Sequence, residues 1–331
     1  MNTGKYLALS LLTIFMVTSC TKEAPPPRKP AQMTIAAEMS LLPATVWVAE
    51  ELGYFKDENL DLTIREFDSG RNALEAMLKD KTINIATVAQ TPIVFNSFNS
   101  ENYAIIATMA HSIDDVKVLA RKDHDISKAA DLKGKKIGAT LRSTGHYFLE
   151  GFLSNHDLSL DDIELIDVNA AELKDKLISG ELDAITSWEP HIYNTKKVLD
   201  DSKLTMLINP TPFRKDFFFT ADKEYINKNS KEISRFLKAV IQAESFIKNN
   251  TNKAQAIISN RIKADPVIVE YIWNEFFFEI TLEQSILLGL EDEAQWAVDI
   301  GATSNAIPNY LEFIDYSSLR NIKPDAVNIF H

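Results

Sequence analysis

The feature that most constrains the fold of this chain is an order of predicted elements that occurs twice. Apolar runs and helical spacing are the signals for these elements. The first copy has strands at 33–38, 60–67 and 83–89, with helices at 43–52 and 72–79. The second has strands at 137–141, 163–168 and 182–187, with helices at 145–155 and 172–179. Each copy predicts a βαβαβ unit, which right-handed crossovers wind into a parallel sheet with helices on both faces.

Two further strand-like runs, at 116–121 and 217–221, bracket the second unit. The first and last thirds of the chain are therefore expected to form one lobe together. We predict lobe 1 at 33–120 plus 221–331, lobe 2 at 121–220, and a hinge where the two strands cross. From Asn227 onward the apolar spacing predicts helices, and the aromatic residues at 273–278 are interpreted as core.

Sheets of this kind bind ligands at the carboxyl ends of their strands. In the first unit those ends are 39–42, 68–71 and 90–91, and in the second they are 142–144, 169–170 and 188–189. If the lobes face each other, all six loops line one cleft. The predicted fold class is α/β, with two lobes joined by two crossing strands and a ligand cleft between them.

The junction at 142–145 carries the clearest local signal. Ser143 or Thr144 is suited to cap the helix that follows, and the free N–H groups of a first helical turn favour a negatively charged group. The alternative is a cap without a ligand. Arg142 either binds an anionic group with its planar guanidinium or pairs with Glu189, and the sequence leaves both alternatives open.

Charge excludes some functions. The 331 residues contain 35 Lys+Arg and 47 Asp+Glu, a net charge of −12, which argues against a nucleic-acid surface. The histidines show no metal-ligand spacing, so no metal site is predicted.

The N-terminus predicts secretion. Lys5 precedes an apolar stretch at 6–17 that is too short to span a membrane, which is typical of a signal segment at 1–20. Val17-Thr18-Ser19-Cys20 resembles the lipobox of bacterial lipoproteins, which implies a lipid on Cys20; an ordinary signal with an accidental cysteine is the alternative. Cys20 is the only cysteine, so no internal disulfide forms. Residues 21–32 are proline-rich and predict a tether to an extracytoplasmic membrane face.

Four motifs resemble a known family. They are Gly-Tyr-Phe-Lys-Asp-Glu-Asn-Leu at 53–60, Asp-Leu-Lys-Gly-Lys-Lys-Ile-Gly at 131–138, Gly-His-Tyr-Phe-Leu at 145–149 and Trp-Glu-Pro at 188–190. Together they resemble the substrate-binding proteins of ABC importers in the nitrate/sulfonate/taurine family, which is similar to the binders of thiamine-pyrimidine precursors. The resemblance implies a type II periplasmic-binding-protein fold, a monomer without catalysis or cofactor, and delivery of a solute to a permease driven by an ATPase.

The resemblance also implies the ligand contacts. By position these are Leu42, Ser69, Gly70, Gln90, Thr91, Ser143, Thr144, Gly145, His146, Trp188 and Glu189, to which the residue analysis adds Arg142. Glu189 suits a cationic amine or a ring amino donor, or it caps the helix after Pro190. Trp188 forms either an apolar wall or core, and for His146 a structural hydrogen bond is favoured over a ligand contact.

Three functions follow as hypotheses. The leading one is a lipid-anchored solute-binding protein for a sulfonate-, taurine- or nitrate-like solute, with a thiamine-pyrimidine precursor or another amino-heterocycle as the alternative. A sensor subunit that presents its closed form to a receptor is the second. An enzyme on the same fold is the third and least favoured, because Cys20 is committed to lipid and no Ser-His-Asp grouping is evident.

Overall fold

The structure is a computed structural model that describes Met1 and residues 29–329. The predicted signal segment beyond Met1, Cys20 and most of the tether lie outside the described residues. The first part of the chain contains β1 (Ala31–Glu38), α1 (Ala44–Glu51), α2 (Tyr54–Asp57), β2 (Leu60–Phe67), α3 (Gly70–Lys79), β3 (Ile85–Ala89), α4 (Gln90–Ser97) and β4 (Tyr103–Ser112). The middle contains β5 (Val116–Arg121), β6 (Lys136–Ala139), α5 (Thr144–Ser154), β7 (Glu164–Asp167), α6 (Ala170–Ser179), β8 (Ala184–Trp188), α7 (His191–Lys196) and β9 (Leu204–Leu207).

The last part returns to the first sheet and then becomes mainly helical. It contains β10 (Lys215–Asp222), α8 (Lys223–Lys228), α9 (Ser230–Asn249), α10 (Thr251–Ile262), α11 (Pro266–Trp273), β11 (Phe276–Phe277), α12 (Ser285–Asp299) and α13 (Ser317–Ile322). Trp273, Phe276 and Phe278 are buried, as interpreted from the sequence. Phe277 is 43% exposed, because successive residues of the edge strand β11 point to opposite sides.

The strands form two sheets with the same winding. The six-stranded sheet has the order β11-β4-β10-β3-β1-β2, and the five-stranded sheet has the order β7-β6-β8-β5-β9. In each predicted βαβαβ unit the first strand is central and the other two flank it in parallel, as β2-β1-β3 and as β7-β6-β8. The predicted repeat is therefore present as two similarly wound parallel units.

The chain crosses between the sheets earlier than predicted. It leaves the first sheet after Ser112 and returns at Lys215, and these two residues are paired across β4 and β10. Strand β5 pairs with β8 and β9 in the second sheet, and β10 pairs with β3 and β4 in the first. The predicted lobe boundaries at 120/121 and 220/221 therefore lie too late in the chain. The apolar pattern of a buried strand predicts the strand but does not show which sheet it joins.

Side chains of the last third of the chain contact the second lobe at two places. The indole Nε1 of Trp296 in α12 donates to Glu150 Oε2 of α5 at 2.6 Å. Lys117 Nζ of β5 donates to Glu275 Oε1, which follows α11, at 2.7 Å. These contacts hold the strand ends of the two sheets close together.

Candidate functional site

The carboxyl ends of the two sheets meet at a pair of threonines. Thr91 follows β3 and Thr144 begins α5, and their hydroxyl oxygens lie 2.7 Å apart. Both side chains are buried. At the rim, Arg71 Nη2 donates to the carbonyl oxygen of Arg142 at 3.4 Å. The loops at 68–71 and 90–91 of the first lobe therefore contact the junction at 142–144 of the second, and the lobes are closed at these points.

The loop after β2 supplies Ser69 and Gly70. Ser69 caps α3, its hydroxyl accepting from Asn72 N–H at 3.3 Å. The N–H of Gly70 donates to Glu38 Oε2 at 3.1 Å. Only glycine fits at residue 70, because a Cβ there would lie 2.9 Å from the Cα of Val88. The start of α3 is thereby held against the ends of β1 and β3.

Leu42 lies in the loop after β1. Its N–H donates to Ser40 Oγ at 3.2 Å, and its half-buried side chain packs against the core of the first lobe. These contacts are structural, and ligand contact by Leu42 stays a prediction.

Gln90 is held by a helix far away in sequence. Its Nε2 donates to the carbonyl oxygen of Gly289 at 3.0 Å and to Glu293 Oε2 at 2.9 Å, both in α12. Glu293 is 1% exposed. Glu293 is not among the residues predicted from the sequence, although a usable signal exists. Residue 293 falls on the apolar face of α12 together with Leu290 and Ala297, and a charged residue on such a face is unusual.

The junction at 142–145 has the predicted cap. Ser143 Oγ accepts from Gly145 N–H at 3.2 Å and donates to the carbonyl oxygen of Thr140 at 2.6 Å. Arg142 has a φ of 57° and an exposed side chain. Its guanidinium makes no ion pair with any residue of the described chain. Ligand contact by Arg142 therefore remains a prediction.

His146 makes the structural hydrogen bond that the sequence favoured. Its Nδ1 accepts from the N–H of Arg142 at 3.3 Å, and its ring lies edge-on to Trp296 with centroids 5.2 Å apart. Burial lowers the pKa of the imidazole, which favours its neutral form. Its buried Nε2 has no hydrogen-bond partner within residues 29–329.

Trp188 lies under the start of α5 and beside the hinge. A Cβ on Gly145 would lie 3.6 Å from the indole Cζ3, and Lys215 Nζ lies 5.8 Å from the ring centroid. The indole is half-buried and packs against the core of the second lobe. Trp188 is thus placed to form a wall of the cleft while it also contributes to packing.

Glu189 is paired with Lys117. Its Oε1 accepts from Lys117 Nζ at 3.3 Å, and its Oε2 accepts from the N–H of Tyr193 in the first turn of α7 at 2.9 Å. Burial raises the pKa of the carboxyl, and Lys117 opposes this shift. The alternative of an Arg142–Glu189 pair is wrong, because β5 lies next to β8 and brings Lys117 to this carboxylate. The helix-start role is confirmed.

A buried lysine and three carboxylates form the polar interior of this region. Lys215 Nζ donates to Asp115 Oδ2 at 2.6 Å, and both side chains are buried. Burial raises the pKa of both Glu38 and Glu293 to about 7, while the charge of Lys215 opposes the shift in each. None of these four residues was selected from the sequence, because their proximity depends on how β1, β10, α12 and the first crossing segment pack together.

Two absences concern the described part of the chain. Residues 29–329 contain no helix with the length and apolarity needed to cross a bilayer. The same residues contain no group of three or more His, Cys, Asp or Glu side chains that could hold a metal ion.

Comparison with known families decides the class of the chain. The model of the family described as NMT1/THI5 like matches residues 43–254, which is more than half of the sequence. The chain belongs to the NMT1/THI5-like family. The matched region runs from the loop after β1 to α10, so it includes the whole second parallel unit and the first unit without β1.

Two curated relatives of this NMT1/THI5-like chain cover most of its length. A Bacillus subtilis (strain 168) protein, provisionally named an aliphatic sulfonates-binding protein, is 24% identical over 279 residues, 81% of this chain and 81% of the relative. A Haemophilus influenzae protein, provisionally named a thiamine biosynthesis protein, is 28% identical over 226 residues, 65% of this chain and 68% of the relative.

Solved structures confirm the predicted fold. The periplasmic aliphatic sulphonate binding protein SsuA from Escherichia coli superimposes with a TM-score of 0.75 at 16% identity, covering 86% of this chain and 92% of that chain. The desulfurization enzyme DSZB also superimposes, with a TM-score of 0.66 at 15% identity over 88% of this chain and 98% of that chain. The fold is therefore that of the periplasmic binding proteins, and it is shared by binding proteins and an enzyme.

Proposed function

We propose that this chain is the extracytoplasmic solute-binding protein of an ABC importer. It captures a small polar solute by closing its lobes and delivers it to a permease that an ATPase drives. The observation that carries the proposal is the closed contact between the strand ends of the two sheets, where Thr91 meets Thr144. A hinge of two adjacent crossing segments supports lobe rotation.

The solute class is proposed from the relatives and from the cleft. The relative named for aliphatic sulfonates favours a sulfonate-, taurine- or nitrate-like solute. The buried carboxylates of Glu38 and Glu293 favour the second candidate, a thiamine-pyrimidine precursor or other amino-heterocycle. We propose Leu42, Ser69, Gly70, Gln90, Thr91, Arg142, Ser143, Thr144, Gly145, His146, Trp188 and Glu189 as the contacts.

Native mass spectrometry of the purified protein, followed by a thermal-shift screen of sulfonates, nitrate and aminopyrimidines, tests the binding role. A true solute raises the melting temperature of the wild type but not of Thr144→Val or Trp188→Ala, since ligand that binds only the folded state stabilises it. Thr205→Val, in the edge strand β9, is the matched control and keeps the response. Catalytic turnover of a bound compound, or no response to any small solute, contradicts the proposal.

The proposed membrane location rests on Cys20. A lipid on this residue anchors the monomeric protein to the extracytoplasmic face of a bacterial membrane, with residues 21–32 as its tether. Cys20→Ala is expected to move the protein from the membrane fraction to the soluble fraction, and mass spectrometry of the mature N-terminus identifies the lipid. Co-purification with a permease, against co-purification with a receptor, separates transport from a sensor role.

A further inference from the structure

Two carboxylates beside the cleft each keep an oxygen without a hydrogen bond. Glu293 Oε2 accepts from Gln90, whereas its Oε1 is buried and has no partner in the described chain. Glu38 Oε2 accepts from Gly70 N–H, and its Oε1 is likewise inaccessible and unpartnered among residues 29–329. Buried polar atoms are nearly always paired, and leaving one unpaired costs about 1–3 kcal/mol. The two oxygens therefore indicate a place for hydrogen-bond donors.

Both carboxylates lie at the carboxyl edge of the first sheet. Burial raises the pKa of Glu293 and the nearby hydroxyl of Thr91 opposes that rise, and the same hydroxyl contacts Thr144 across the cleft. Glu38 is the last residue of β1, and it contacts Gly70, the first residue of α3. Both side chains therefore border the loops after β1, β2 and β3, which are the loops proposed to enclose the solute.

The cations of this region do not neutralise these carboxylates. The charge of Lys215 acts on both Glu38 and Glu293, but its ammonium is already bonded to Asp115. Lys117, on the hinge side, is shared between Glu189 and Glu275. When the carboxylates are ionised, the closed interior therefore lacks positive charge, and buried charges need a partner.

We infer that the solute carries a protonated nitrogen group, such as an amine, amidine or guanidine, which donates hydrogen bonds to Glu38 and Glu293. This inference rests on the proposed solute-binding function and narrows its solute class. A cationic N–H group supplies both the missing charge and the missing donors. A plain sulfonate or nitrate supplies only acceptors, so its entry requires both carboxylates to take up protons.

Matched probe pairs test the inference by isothermal titration calorimetry. The pairs are ethanesulfonate with 2-aminoethanesulfonate, and benzenesulfonate with benzamidine, titrated at pH about 6 and about 8. The nitrogen-bearing member of at least one pair is expected to bind more tightly. Its affinity should rise toward the higher pH, where Glu38 and Glu293 lose their protons, because an ionised carboxylate attracts a cation.

Tyr147 interacts electrostatically with Glu293, and burial raises the pKa of Tyr147 to about 12, so it stays neutral between pH about 6 and about 8. Burial lowers the pKa of His146 and of His191, which favours their neutral forms. Glu275 lies beside Lys117, and burial raises its pKa to about 7, so it titrates in the same pH range as Glu38 and Glu293. Variants of Glu38 and Glu293 separate its contribution.

Glu38→Gln and Glu293→Gln are each expected to lower the affinity for the nitrogen-bearing probe by about 10-fold or more, since each removes one charge from a desolvated ion pair. Glu51→Gln, on the exposed side of α1, is the control and leaves affinity unchanged.

Tighter binding of the plain sulfonate, with affinity rising toward the lower pH, overturns the inference and leaves the solute-binding function intact. This wild-type comparison stands even where a variant misfolds. Failure of every probe, together with no solute in native mass spectrometry, contradicts the proposed function and this inference with it.

Discussion

At the scale of single residues, burial sets the chemistry of the cleft. Glu38 and Glu293 are carboxylates in a closed interior, and the loss of water raises the pKa of each to about 7. The buried hydroxyl groups of Thr91 and Thr144 are hydrogen-bonded to each other. The region therefore holds groups whose charge changes near neutral pH, next to the contact that joins the lobes.

Glu293→Gln is expected to stabilise the protein without solute at alkaline pH. Burial raises the pKa of Glu293 from 4.5 to about 7 in the folded chain. The unfolded form loses its proton first, so the stability of the wild type falls as pH rises from about 4.5 to about 7 and then levels off. The substitution removes this loss, on the order of 1–3 kcal/mol at pH about 8, and has little effect near pH about 4. Denaturant unfolding of both proteins across this range is the measurement, and equal pH profiles contradict the assignment.

The hydroxyl pair predicts a coupling between lobes. Thr91→Val and Thr144→Val each remove one partner, and because the pair is buried a double-mutant cycle should give an interaction of about 1 kcal/mol in the closing equilibrium. Thr91→Ser keeps the hydroxyl and should retain most of the closed state. Additive effects of the two valine substitutions would show that the hydroxyls do not interact in solution.

Sequence information at this scale was good for local contacts and poor for distant ones. The Ser143 cap and the structural hydrogen bond of His146 follow from residues within a few positions, and both are present. The partner of Glu189 is Lys117, 72 positions away, and it depends on strand pairing that no local pattern shows. Glu293 stood out only as a charge on an apolar helix face, a signal that needs the helix boundaries first.

At the scale of elements, strand β5 links the hinge to the last third of the chain. Lys117 on β5 bonds to Glu275 after α11 and to Glu189 at the end of β8. Its side chain is 10% exposed, and that of Glu189 is fully buried. One lysine thereby ties three elements together across both lobes.

Lys117→Met is expected to destabilise the protein by about 3 kcal/mol at pH about 8, because it leaves two buried carboxylates without a cation. Burial raises the pKa of Glu275 to about 7, so at pH about 5 this carboxyl holds its proton and the loss is smaller. Lys79→Met is the control, since the ion pair of Lys79 with Glu75 is exposed and contributes little. Equal losses for the two variants in thermal unfolding would contradict a structural role for this cluster.

The order of elements was predictable, and their sheet membership was not. Both βαβαβ units follow from alternating apolar runs and helical spacing, and their strands have the predicted parallel arrangement. Strands β5 and β10 were recognised as strands but assigned to the wrong sides of the crossings. A continuous apolar strand buries both faces wherever it lies, so its sequence carries no information about its neighbours.

At the scale of the whole molecule, two similar lobes close on each other. The edge strands β2 and β7 lie at the ends of their sheets farthest from the crossing strands β10 and β5. Helices α3 and α6 begin just after these edge strands, so their first turns lie at the mouth of the cleft. The repeated sequence predicted the two lobes, whereas two of the contacts between them use residues outside the repeat, Trp296 of α12 and Glu275 after α11.

The most direct test of the account measures lobe closure between α3 and α6. Spin labels on Asn72→Cys and Glu172→Cys, exposed residues in the first turns of α3 and α6, report the distance across the mouth once Cys20 is replaced. With the solute found by mass spectrometry or thermal shift, the account predicts one short and narrow distance, and without it a longer or broader distribution. The same distance distribution with and without that solute would contradict it.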